Sequence, residues 1–193
     1  MKAPGLSLLC LISLLASSSN AAETAASLKQ YAFGFHTLHL GDTVRRGSVK
    51  FNVDDGMTED ELDAVNHVLD ERGASPVDDK GYRELSLPNG THVRIGGFLV
   101  EGFLEDSVEG VHSLPGEFAV NGEFSTDEAA LVLQIAKAGN LFVGSSSDAA
   151  QVAAPGRVTD KRFAKRHKQV SITADEPALA EWVRQNIAPA LRQ

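Results

Sequence analysis

Cysteine is all but absent from this chain: Cys10 is the only one among 193 residues. It falls in an apolar leader, so the exported chain can build no disulfide, thiolate metal site or cysteine nucleophile. Positive charge is also scarce, with 18 Lys and Arg against 26 Asp and Glu. That balance argues against general nucleic-acid binding, which depends on phosphate neutralisation. Aromatic residues make up 6% of the chain, too few near its basic residues to stack single-stranded bases.

Long apolar runs are missing apart from "LSLLCLISLLA", Leu6 to Ala16, which follows Lys2. The run has secretory length but is too short and poorly flanked to anchor in a membrane. Ser19 and Ala21 fit the small-x-small rule for cleavage, so residues 1–21 are expected to be a secretory signal peptide. Lipid attachment at Cys10 is disfavoured by bulky Leu9, where a small residue is wanted. Removing 21 residues from 193 leaves 172, enough for one domain with a real core. The exported part carries a net charge of −9, because Lys2 leaves with the leader. A cysteine-free exported domain of this size fits a bacterial periplasm or a secreted protein.

Signatures of common chemistries are missing as well. No dinucleotide, P-loop or HExxH pattern occurs, and no helix start follows Gly96-Gly97, so no cofactor is expected. In the acidic stretch "NVDDGMTEDELD", aligning Gly56 with the glycine of an EF-hand puts Phe51 and Val53 at ligand positions and Leu62 where glutamate must sit. With 26 acids, no carboxylate pair stands out as a glycosidase pair.

What is present reads as an α+β pattern. Residues 22–30 are small and polar, a flexible start, and 31–193 are expected to form a single domain. "YAFGFHTLHL" alternates, with Tyr31, Phe33, Phe35 and Thr37 on one side, and "SVKFNV" is a second short strand. Thr58 and Glu61 form a capping box before a stripe of Leu62, Val65, Val68 and Leu69, stopped by Gly73. "YRELSL" and "THVRIGG" flank a Pro88-Asn89-Gly90 turn, so Asn89-Gly90-Thr91 reads as a hairpin rather than as a glycosylation sequon. "FLVEGFLE" suggests a further strand, with Gly96, Gly97 and Gly102 as bulge points.

Ser125 and Glu128 repeat the capping box before Leu131, Val132 and Ile135, with Gly139 as the stop. "NLFVG" is a buried strand, "AAQVAAPGRVT" two short strands around Pro155-Gly156, and "QVSIT" another. A last helix starts near Asp175–Pro177, carries Leu179, Trp182, Val183 and Ile187, and ends before Pro189. Strands and helices do not alternate regularly. The expectation is a mostly antiparallel, twisted sheet with about three helices packed on it.

Three sets of residues invite functional readings. In "LFVGSSSDAA", Ser146 could be a nucleophile with His112 or His167 as base, but Asp148 stands where a nucleophile elbow needs glycine. A polar surface turn is the simpler account of that stretch. His36 and His39 form the only close histidine pair; in a strand they point to opposite sides and cannot share an ion. The third set is "TDKRFAKRHKQ", where Lys161, Arg162, Lys165, Arg166, His167 and Lys168 concentrate positive charge in an acidic chain. Either it is a solvated connection or lysine-protected strand edge, or it is a docking patch for an anionic partner.

The reading that follows is an exported, non-catalytic binding protein of inhibitor, immunity or envelope-accessory type, docking a protein or other anionic envelope partner through that segment. The alternatives are a small serine-type hydrolase and a structural domain that forms a homodimer through a strand edge. No nucleic-acid partner and no integral membrane segment after leader removal are expected.

Overall fold

A computed structural model describes residues 28–39, 43–52, 56–96, 113–145, 151–167 and 169–191. Its centre is β1 (Lys29–Thr37), a strand paired along both edges. One edge runs antiparallel to β6 (Ser113–Val120) from Lys29↔Val120 to His36↔Ser113. The other edge is shared. β10 (Ala190–Leu191) pairs with Lys29 and Gln30, and β7 (Leu141–Gly144) pairs with Gly34 to Thr37. Lys29 and Gln30, expected in a flexible start, are therefore strand residues held by main-chain bonds on both sides.

Outward from β6 come β5 (His92–Gly96) and β4 (Tyr82–Ser86); outward from β7 come β8 (Gln151–Ala154) and β9 (Gln169–Ile172). The order is β4-β5-β6-β1-β7-β8-β9 with β10 beside β1, antiparallel except for the parallel β8–β9 pair. A separate hairpin joins β2 (Thr43–Arg46) to β3 (Val49–Asn52). The class is α+β, as the element order predicts. The expected strand after Pro155-Gly156 does not form, and the strand anticipated at 98–105 lies outside the described residues.

Four helices occur among the described residues, in keeping with the expectation of about three: α1 (Glu59–Glu71), α2 (Thr126–Ala138), α3 (Lys161–Arg166) and α4 (Glu176–Asn186). Both predicted capping boxes are present, Thr58 with Glu61 and Ser125 with Glu128. At the end of α1 the Gly73 N–H donates to Asp70 O and the Ala74 N–H to Leu69 O, both at 2.9 Å. This is a Schellman turn, which needs the left-handed conformation that Gly73 adopts at φ 74°.

Strand alternation divides the packing between two faces. Tyr31, Phe33 and Phe35 of β1 join Val93, Ile95, Phe118, Leu141, Val143 and Ala153 in a large core with α1, α2 and α4. Phe33 lies at its middle, 5.2 Å from the Phe118 ring centre and 5.5 Å from that of Phe35. The opposite face holds a smaller core of Phe142, Val152, Ala154 and Phe163, with Leu38, Val158 and Val170 packed on it. Phe163 belongs to α3, so the basic segment covers the face of the sheet that the three longer helices leave.

β6 is the strand that local pattern hides. Pro115 and Gly116 interrupt it, and both residue types normally argue against an inner strand. Here Gly116 is required. A Cβ on it would lie 2.7 Å from Phe35 Cε2, so the aromatic ring occupies the space a side chain would take.

Two buried charged groups fasten helices to the β4–β5 hairpin. Glu128, 1% exposed, accepts from Asn89 Nδ2 at 2.6 Å, from the Thr91 and Ser125 hydroxyls and from the Ser125 N–H. Burial acts to raise its pKa, but the bonds from Ser125, Thr91 and Asn89 prevail and hold it below the usual glutamate value. Arg83, 6% exposed, donates to Ser75 O at 2.9 Å and Asn66 Oδ1 at 3.2 Å and pairs with Asp70, binding β4 to α1.

Two outcomes follow for stability. Gly116→Ala is expected to destabilise the fold by about 1–3 kcal/mol, the usual cost of overpacking, read as a lower urea midpoint with unchanged slope. Because the folded-state pKa of Glu128 is depressed, its contribution is complete above its usual value of 4.5 and fades as pH falls through the folded value. Glu128→Gln should therefore cost stability at pH 7 and flatten the loss below pH 4.5, measured by denaturant titration at each pH.

Candidate interaction surface

α3 begins at Asp160, whose Oδ1 accepts from the Arg162 N–H at 2.7 Å. Phe163 and His167 stand four residues apart and so face the same way. Phe163 is fully buried and His167 is 5% exposed. Their rings pack on Phe142, with centres 4.9 and 5.0 Å from it and 4.4 Å from each other. Lys161, Arg162 and Lys165 are exposed. Arg162 folds back on its cap, with Nε 3.2 Å and Nη2 3.0 Å from Asp160 Oδ2. That hydrogen bond is the main reason the Asp160 carboxyl is held below its usual pKa.

The six basic candidates thus separate. Lys161 and Lys165 are displayed to solvent, Arg162 is displayed but engaged, and His167 is a core side chain instead of a surface cation. The Arg166 side chain and Lys168 lie outside the described residues. A lysine-protected strand edge is not what the segment forms; the edge is β9, which follows it.

The histidine pair separates too. His36 lies over Gly34, where a Cβ would come 2.6 Å from Nε2, and stacks on Phe142 at 5.2 Å between ring centres. His39, beyond the end of β1, places Nε2 2.7 Å from Glu61 Oε1 and binds β1 to the start of α1. Burial acts to raise the Glu61 pKa, but the Thr58 N–H and His39 together lower it. No group of three or more His, Cys, Asp or Glu side chains able to hold a metal occurs among the described residues.

Ser146, the serine nucleophile candidate, and His112 lie outside the described residues. His167, the other base considered for Ser146, packs against the rings of Phe142 and Phe163. A different serine–histidine contact occurs: Ser86 Oγ is 3.0 Å from His92 Nδ1 across the β4–β5 ladder. The hairpin turn fixes that register, which is the signal in the sequence that could have found it. No described side chain hydrogen-bonds to His92 Nε2, so the pair lacks the orienting third group of a triad.

Ser86 and His92 line a groove of about 700 Å³ over β4, β5, β6 and β1. Its floor is a cross-strand row, Glu84 beside Arg94 beside Glu117. Arg94 lies 3.8 Å over the Tyr82 ring and within 3.7 Å of Asp78. The smaller groove, about 410 Å³, lies where α2 ends and the loop from β8 enters α3. Lys137, Asn140, Arg157 and Thr159 border it, and Leu38 and Val158 supply apolar walls.

The chain has no match among protein-family models, curated proteins or solved structures. Its chemistry is therefore read from these surfaces alone.

Phe163 is the residue that seats α3. Phe163→Ala should cost about 3 kcal/mol and speed amide hydrogen exchange at residues 163–167 more than in α1 or α2, measured by exchange mass spectrometry.

Proposed function

We propose that this chain is an exported, non-catalytic binding protein that docks an anionic partner through the α3 segment. In this reading residues 1–21 are removed on export, and the protein works in the periplasm or outside the cell as an inhibitor, immunity-type or envelope accessory protein. The observation that carries the reading is the division of labour within α3. Phe163 and His167 anchor the helix in the smaller core, which leaves Lys161 and Lys165 outward on a support that does not have to order on binding. A positive ridge on an acidic protein also orients an anionic partner during approach.

Among the described residues the serine-hydrolase alternative is supported by the contact of Ser86 with His92, with no orienting acid on the histidine. A homodimer through β9, whose Ile172 is 51% exposed, is the remaining alternative. The test uses the exported protein as bait against an envelope extract at low and at 0.5 M salt, a concentration of roughly 4 Å screening length. A partner retained at low salt, released at high salt and lost on Lys161→Glu, Arg162→Glu and Lys165→Glu together is the expected result. Retention that ignores both salt and the charge reversal would sink the docking reading.

A further inference from the structure

In a chain with more acids than bases, several of the described cations still have no carboxylate partner, and where they gather decides what surface they make. Among the described residues Lys29, Arg83, Arg94, Arg162 and Arg184 are ion-paired. Of the other described Lys and Arg side chains, Arg72 bonds only to Gln134, and Arg45, Lys80, Lys137, Arg157, Lys161 and Lys165 make no ion pair and no side-chain hydrogen bond; four of these six, Lys137, Arg157, Lys161 and Lys165, stand in or beside the 410 Å³ groove. Lys137 and Arg157 border it directly, and Lys161 and Lys165 follow on the helix that starts at its rim. The groove's own carboxylate, Asp160, is taken up by the N–H and guanidinium of Arg162. What the groove presents is therefore positive charge above an apolar wall of Leu38 and Val158, with the Asn140 amide and Thr159 hydroxyl beside it.

We infer that this groove receives an acidic polypeptide segment, one that places an aliphatic side chain between carboxylates. The inference rests on the docking reading of α3 and names its partner's chemistry. Carboxylates would meet Lys137 and Arg157, and the aliphatic group would cover Leu38 and Val158. A free phosphate or a sugar-phosphate polymer leaves those apolar walls wet. An anionic bilayer is flat and would touch only the rim, and it would repel the rest of an exported chain with net charge −9. The fixed walls favour a segment that enters the groove, because both walls belong to the packed smaller core.

The experiment titrates the ¹⁵N-labelled protein, purified after export, with an acetylated Ser-Glu-Leu-Glu-Glu-Leu-Ser peptide, with the same peptide carrying serine for both leucines, and with phosphatidylcholine vesicles containing phosphatidylglycerol. The leucine peptide is expected to shift the amides of Leu38, Lys137, Asn140 and Val158. The serine peptide should bind at least tenfold more weakly, and the vesicles should not bind. Lys137→Glu with Arg157→Glu, both at exposed positions, should abolish peptide binding while thermal unfolding stays as in the parent. Absence of peptide binding, equal binding of the two peptides, shifts confined to other surfaces, or vesicle binding lost in the double variant would each overturn the inference. Capture from the envelope extract separates the two readings. If reversing α3 releases the partner and the groove variant still holds it, the groove inference falls and docking stands. If both variants hold the partner, the docking reading falls and the groove inference falls with it.

Discussion

The fold depends on one strand that is paired on both edges and packed on both faces. β1 meets this constraint by making its two sides unlike. One side is Tyr31, Phe33 and Phe35, whose rings need a thick layer of helices above them. The other is Ala32, Gly34 and His36, nearly flat, so that the His36 ring can lie along the strand against Phe142. Gly116 on the neighbouring strand extends the same economy of space to Phe35. Three helices are committed to the thick side, and a helix of six residues suffices for the thin one.

That asymmetry places the surfaces where a ligand can reach. On the thin side α3 covers β7, β8 and β9, while no described helix lies over the polar floor of β4, β5, β6 and the start of β1. The groove over β4, β5 and β6 lies on that floor, whereas the smaller one lies between the end of α2 and the loop that enters α3. The outer edge of β4 is treated differently: the N–H groups of Ser75 and Asp78 bond to the Glu84 and Tyr82 carbonyls, so the loop after α1 occupies it. Such cover is one of the ways proteins keep a sheet edge from pairing with another chain.

Much of this was legible where the signal is local. Capping boxes at Thr58 and Ser125, the stop at Gly73 and the Asn89-Gly90 turn each depend on a few adjacent residues, and each formed as expected. β6 was not legible, because the reason for Gly116 is the ring of Phe35, 81 residues earlier in the chain. The character of α3 was equally hidden. Composition shows a run of cations, whereas the decisive residues are buried ones, Phe163 and His167. Their burial is set by Phe142 on another strand, which no spacing within the run reveals. The candidate site was therefore half visible: its position could be read from charge, its anchoring and its adjoining groove could not.

The Glu128 latch bears on how the protein can be produced. Asn89-Gly90-Thr91 satisfies the acceptor rule for N-linked glycans, and the atom a glycan would take is Asn89 Nδ2, the donor to Glu128. Thr91, which completes the acceptor, gives its hydroxyl to the same carboxylate. In a eukaryotic secretory host, sugar attached before the hairpin closes would wedge it away from α2, while a hairpin already closed would hold its acceptor nitrogen on Glu128. The chain would emerge as two populations, one glycosylated and loosened, the other bare and native.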